Sequence, residues 1–370
     1  MIYQNLIINK NIWSKLEAMF HSNKIPHALL FHGASGIGKE AHAIELASLL
    51  NYKTKADLEK IKIFQHPNIN LITPLIKDKT IKKSSNALDA LSSKSLELYI
   101  DLKKQKMLNP YKKIAFQKTS TILINSIRDI KKNIYHNNDG RYTVYLIFDA
   151  EKLCYPRNES GNALLKILEE PPPNTIFILV TSNKDKILDT ILSRCCEFHF
   201  KKLPKKEINN FLKTYNYQTE NPDLLIKLCD GNLNLIIEMI EQNMDIKKLI
   251  KQAKLFISCL LNNKPYQEYC DFMESLFKKN KIEFEIYIKI MIIILNDLNK
   301  MNHDYNNCII LNKQINAKKL NYSHTIAVIE KYYNQFNQNL NPAIGFFAMS
   351  IEMKQTIMKN SLESNYNEYE

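Results

Sequence analysis

Short apolar runs separated by helical patterns mark the first two hundred residues. Ala28–Phe31, Ile69–Ile72, Val144–Phe148 and Thr175–Thr181 are continuous rather than alternating, and Glu197–Phe200 closes the set. A strand covered on both faces has no solvent side to encode, so runs of this kind predict a parallel sheet with helices on each face. Ala28–Phe31 enters a Gly-rich turn and then a helix predicted from about Lys39 to Leu50. Lys77–Lys118 interrupts the alternation: it is rich in Lys and Ser with little apolar periodicity, and predicts a long insertion with one or two exposed helices. From Pro204 the pattern is helical only. Lys205–Thr214 and Pro222–Gln242 predict a small helical unit, and amphipathic segments follow from Asp245 to about Met358. The polar, acidic tail SLESNYNEYE is expected to fray. The expected organisation is an α/β parallel-sheet domain over 1–203, a small helical lid over 204–246 and an all-α domain over 247–370.

Composition narrows the class. A chain of 370 residues suits two or three domains, and 45% hydrophobic with 24% charged residues is an ordinary globular composition. The formal charge of +13 permits a nucleic-acid partner. Lys, Asn and Ile are abundant throughout, so the same excess also reads as compositional drift. The seven cysteines are irregularly spaced with no Cys-x-x-Cys pair, which argues against a disulfide framework or a zinc site and for reduced, cytosolic thiols. MIYQNLIINKNIW lacks a signal-peptide core, and the longest apolar stretch, Ile290–Leu295, is too short to span a bilayer. A cytoplasmic protein with no membrane partner is expected.

The candidate chemistry begins at GASGIGKE, Gly33–Glu40. A Gly-rich turn between strand and helix lets backbone N–H groups surround a phosphate at the positive end of the helix. Gly33, Gly36 and Gly38 supply the room, and Lys39 would reach the outer phosphates. The pattern then needs Ser or Thr for Mg²⁺; here it has Glu40, a carboxylate that would repel phosphates or hold a metal itself. Downstream, YLIFDAEKL offers Asp149 where ATPases of this kind carry Asp-Glu, so one carboxylate is missing in either alignment. Hydrolysis rests on positioning and metal-borne charge, and both are compromised. Ser182 and Asn183 are two polar residues directly after the fourth run, and Gly231–Asn234 reads GNLN. Glu169 and Glu170, adjacent on a helix end ahead of Pro171–Pro173, read as structural. Cys195 and Cys196 have no nearby His pattern for nucleophilic catalysis.

HALLFHGASGIGK, HPNINLI, NALLKILEEPP and TILSRC, in this order and spacing, resemble the delta-prime type of subunit in bacterial DNA polymerase III clamp loaders, within the AAA+ ATPases. The resemblance covers about residues 20–203 well and the helical remainder only in type. It implies an AAA+ domain, a lid and a C-terminal collar that holds a hetero-oligomer together. The implied partners are motor and delta-type subunits, the sliding clamp through the complex, and primer-template DNA. The resemblance also implies that Arg194, in TILSRC, acts as an arginine finger in the ATP site of a neighbouring motor subunit. A guanidinium is always charged and its fork matches phosphate oxygens. The resemblance implies as well that Ser182 and Asn183 stand where the family places a γ-phosphate sensor, and that Asn234 stands where an active motor has a second sensor arginine. The residues Gly33, Gly36, Gly38, Lys39, Asp149 and Asn183 would then form a degenerate nucleotide site able at most to hold ATP or ADP. No required cofactor and no zinc are expected, since no cysteine precedes Cys154. Two other readings compete: an ATP-hydrolysing motor of the same complex, and a basic DNA-binding adaptor built on an inactive AAA+ fold.

Overall fold

The computed structural model describes residues 1–116, 118–133, 141–302, 308–311, 320–336 and 340–367. The end of the acidic tail, residues 368–370, lies outside them. By its contacts the chain divides into two units, residues 1–220 with 231–238, and residues 221–230 with 239–370.

The first unit holds β1 (Ala28–Gly33), β2 (Ile69–Ile72), β3 (Thr143–Phe148), β4 (Thr175–Thr181) and β5 (Cys196–Phe200). Among the described residues they form one five-stranded sheet in the order β2-β3-β4-β1-β5, with every pairing parallel. β3 and β4 are buried at every position, which is why their code is a continuous apolar run. The helices of this unit are α1 (Lys10–His21), α2 (Lys39–Asn51), α3 (Lys55–Lys62), α4 (Ser93–Leu108), α5 (Ile124–Asn133), α6 (Glu159–Glu169), α7 (Asp189–Leu192) and α8 (Lys205–Thr214). On one face of the sheet, Leu30, Ile147, Phe177 and Leu179 pack with Ile127 of α5 and Leu164 and Leu168 of α6. α2 is buried along almost its whole length and packs on β1, β3 and β4.

The insertion departs from expectation. Instead of lying exposed, α4 buries Tyr99, Leu102 and Lys106, and a second apolar cluster joins Tyr99 and Leu102 to Leu75, Leu91, Ile114 and Phe116. Tyr99, Leu102 and Lys106 are spaced three and four apart and so share one helix face. The third member of that stripe is a lysine, so the sequence pattern reads as polar.

The remaining helices are α9 (Pro222–Leu228), α10 (Leu233–Glu241), α11 (Ile246–Leu261), α12 (Gln267–Lys279), α13 (Lys281–Asn302), α14 (Ser323–Phe336) and α15 (Pro342–Asn367). In the second unit α9 buries Leu225, Ile226 and Leu228 and packs on α13, while α11, α12 and α14 pack around α13 and α15. The contacts place α9 with the helical remainder and residues 231–238 with the sheet-bearing unit. Asp297 of α13 is fully buried and accepts backbone N–H bonds from Ile309, Ile310 and Leu311. α15 continues to Asn367, into the tail expected to fray. Among the described residues no helix is long and apolar enough to cross a membrane.

Candidate functional site

The Gly-rich loop has the predicted geometry. β1 ends at Gly33 and α2 begins at Lys39, and Gly33, Gly36 and Gly38 have φ of 139°, 69° and 87°. A Cβ on Gly36 would lie 1.6 Å from Oδ1 of Asn232, and one on Gly33 would lie 2.2 Å from the Phe200 carbonyl oxygen. The loop is closed from above by Leu233, whose N–H donates to the Gly36 carbonyl at 3.1 Å. Lys39 turns back onto the loop: Nζ donates to the carbonyl oxygens of Gly33, at 2.9 Å, and of Ala34, and to Oγ of Ser182 at 3.2 Å. Burial, reinforced by Lys113, lowers its pKa to about 8, so it stays charged at neutral pH.

The insertion fills the space above the loop. Nζ of Lys106, a residue only 1% exposed, donates to Oε2 of Glu40 at 2.6 Å and to the Pro110 carbonyl at 2.9 Å. Lys113 Nζ pairs with Oδ1 of Asp149 at 3.1 Å. Between them Tyr111 is buried edge-on against Phe211, ring centroids 5.5 Å apart, and its hydroxyl accepts the Ile7 N–H at 2.8 Å. Lys112 ties the same segment to Glu238 at 2.9 Å. The cavity left among Gly36, Lys39, Glu40, Lys106, Tyr111 and Lys113 has a volume of about 20 Å³. That is room for about one water, whereas ligand pockets measure roughly 300–1,000 Å³. In this arrangement the side chains of the insertion, rather than open space, lie against the loop.

Charge explains how the packing is tolerated. Lys39, Lys106 and Lys113 face Glu40, Asp149 and Glu151 in one mutually interacting cluster. Burial lowers the pKa of Lys106, with Glu40 acting against it. For Lys113 burial also pulls downward, but Asp149 and Glu40 outweigh it and the ammonium is held above the ordinary lysine value. Glu40, the carboxylate expected to repel phosphates or hold a metal, is paired with Lys106. Among the described residues no group of three or more His, Cys, Asp or Glu side chains is arranged to hold a metal ion.

Of the residues expected to form the nucleotide site, Gly33 and Asn183 are not in the cavity lining. Asp149, in the left-handed region at φ 48°, follows β3 and lines the cavity. Asn183 does not: its Nδ2 donates to Oε1 of Glu151 at 3.3 Å, while Oε2 of Glu151 takes the Thr181 hydroxyl at 2.6 Å. Ser182, one residue earlier, faces Lys39 instead. Asn234 is likewise absent from the lining, and its Oδ1 is buried without a hydrogen-bond partner. Sequence reasoning missed Lys106, Tyr111, Lys113 and Glu151. The usable signal for the first was Glu40 itself: a carboxylate at the start of a buried helix requires a cation, and the insertion is the lysine-rich segment of the domain.

Arg194 follows α7, and the NALLKILEEPP and TILSRC segments meet there. Its Nη1 donates to the Thr190 carbonyl at 2.8 Å, and Nη2 to Oε1 of Glu169, the last residue of α6, at 2.9 Å. The Arg194 side chain is 34% exposed. Burial, with help from Glu197 and Cys196, pushes the adjacent Cys195 thiol up to about 12, so it offers no thiolate nucleophile.

Fold and loop together define a AAA+ P-loop domain whose Gly-rich loop is covered by the insertion. A family profile described as DNA polymerase III, delta subunit, matches residues 8–204, and the chain belongs to that family. It is 27% identical over 347 residues to the DNA polymerase III subunit gamma of Buchnera aphidicola subsp. Schizaphis graminum, spanning 91% of this chain and 80% of that protein. It is 29% identical over 253 residues to the gamma subunit of Buchnera aphidicola subsp. Baizongia pistaciae, covering 66% of this chain and 58% of that one. Among solved structures, a DNA polymerase III gamma subunit-related protein from Thermotoga maritima aligns over 92% of this chain and 99% of that chain, at 14% identity and a TM-score of 0.42.

Proposed function

We propose that this chain is a DNA polymerase III clamp-loader subunit of the delta-prime type, which does not hydrolyse ATP and presents Arg194 to the ATP site of a neighbouring motor subunit. The observation that carries the reading is the cradle filled by Lys106, Tyr111 and Lys113. With its own site blocked, any catalytic value of Arg194 is exerted in trans, where such a finger is worth about 10³–10⁵ in rate. Its partners are motor and delta-type subunits, the sliding clamp through the complex, and primer-template DNA. Residues 204–246 serve as the lid, and residues 247–370 as the collar through which the hetero-oligomer assembles.

The competing reading, an ATP-hydrolysing motor, draws on the intact loop glycines and on the gamma names of the relatives. An ATPase assay on the isolated chain separates the two. No turnover above background is expected; turnover near ~1 s⁻¹ that disappears in Lys39→Ala would establish the motor. In the complex reconstituted with motor subunits, clamp and primed DNA, Arg194→Ala is expected to lower ATP turnover, with Arg194→Lys rescuing poorly because a point charge does not reproduce the planar fork. Unchanged turnover in Arg194→Ala would refute the finger.

A further inference from the structure

Glu169 is in an energetically awkward place. It is the last residue of α6, and Glu170 is its C-cap, so two carboxylates sit at the negative end of a helix. Pro171–Pro173 follow and stop the helix there. Among the described residues Glu170 has no such compensation; Glu169 has Arg194, through Nη2 to Oε1 at 2.9 Å. Both side chains of this pair are well exposed, 34% for Arg194 and 50% for Glu169, and an exposed ion pair contributes little to folding. The effect of the contact falls instead on the arginine's geometry.

That geometry is well determined. Nη1 is held by the Thr190 carbonyl at 2.8 Å and reaches Oγ of Ser193 at 3.4 Å, both on the arginine's own turn. Nη2 is held from the opposite side by Glu169, 25 residues earlier in the chain. Three of the five guanidinium donors are thus engaged, which leaves Nε–H and one Nη2–H without a bond in these contacts. Without Glu169 both anchors would lie on one short turn, and the side chain would regain its other rotamers. With it, the guanidinium plane is fixed between α6 and α7 while one edge stays open.

We propose that Glu169 is a positioning residue for Arg194: it holds the guanidinium in the orientation in which its open edge meets the phosphates in a neighbouring subunit's ATP site. The inference rests on the reading of Arg194 as a finger acting in trans. Glu169 touches no substrate and acts only through the arginine. Releasing an arginine from one staggered orientation to several reduces the productive population about three- to tenfold, so kcat falls by that factor while KM for ATP is unchanged.

The test is steady-state ATP turnover by the reconstituted complex with clamp and primed DNA, titrated with ATP, for wild type, Arg194→Ala, Glu169→Ala and Glu169→Gln. Thermal melts of each isolated chain accompany it. The expected result is a kcat loss of about three- to tenfold in Glu169→Ala at constant KM, and near wild-type kcat in Glu169→Gln, whose amide oxygen still accepts the Nη2 bond. The melting temperatures should stay within about 2 °C of wild type. Loss in Arg194→Ala with wild-type or faster turnover in Glu169→Ala would overturn the positioning role and leave the finger standing. No loss in Arg194→Ala would overturn the finger and this inference with it. A Glu169→Ala chain that melts well below wild type, or whose KM rises with kcat constant, would also overturn it, by making the contact structural or a matter of binding.

Discussion

Replacing Lys106 by Met tests the filled cradle most directly. The substitution keeps the length of the apolar stem and removes the ammonium, so packing changes little and the charge balance changes by one unit. Glu40, 8% exposed, then keeps a carboxylate in the interior with its 2.6 Å partner gone. Removing one member of a buried ion pair costs about 3–5 kcal/mol, because the remaining charge is left desolvated and unmatched. Removing both is close to neutral or even stabilising, since the pair as a whole repays little beyond its own desolvation. Lys106→Met should therefore destabilise the first unit by about 3–5 kcal/mol, and Lys106→Met with Glu40→Met by far less than the sum of the single changes. The chain's single tryptophan, Trp13, lies in this unit beside His42. Its fluorescence under urea follows the unit regardless of what the helical remainder does. At about 2–4 °C per kcal/mol for a unit of this size, the single variant should also melt about 6–20 °C lower. A loss below about 1 kcal/mol in Lys106→Met, or strict additivity in the double variant, would refute the claim that this lysine is the internal counter-ion of Glu40.

Two further outcomes follow from residues around the loop. His42, 1% exposed, accepts the Asn9 N–H at Nε2 and so donates from Nδ1 to the Gly38 carbonyl; burial lowers its pKa from 6.5 to about 4. The folded state binds its proton later than the unfolded state, so the stabilisation is complete above pH 6.5 and is lost as pH falls toward 4, about 3 kcal/mol in all; urea midpoints of wild type and His42→Asn at pH 7.5, 6 and 5 check this, and parallel losses would reject it. Gly36→Ala should destabilise the nucleotide-free chain by about 1–3 kcal/mol, since alanine meets both a φ of 69° and the Asn232 side chain; an unchanged urea midpoint would show that the loop can relax.

The sheet was legible chiefly because its central strands β3 and β4 are buried on both faces, whereas the edge strand β5 alternates between buried and exposed positions. β2 and β4 match the apolar runs end to end, and β1, β3 and β5 extend theirs by one or two residues. Arg194 was legible because its neighbours carry a fingerprint, although nothing in the sequence joined it to Glu169. The cradle's contents were not legible. Lys106 is buried because of a carboxylate 66 positions away, and a local pattern cannot encode that. Which of Ser182 and Asn183 turns toward Lys39 has a similar origin: where β4 ends decides it, and one residue of register reverses the answer.

The segment Lys106–Lys113 amounts to a ligand that cannot dissociate. A group tethered by a short stretch of chain is presented to its site at an effective concentration of millimolar or more, and higher when the tether is already ordered, as α4 is here. Free nucleotide stabilises a protein only as the logarithm of its concentration over its dissociation constant, and here it must first displace an occupant already in place. On the proposed reading, a loop covered by its own chain would keep one conformation whatever the ratio of ATP to ADP, and the constant occupant would take the place of a variable one.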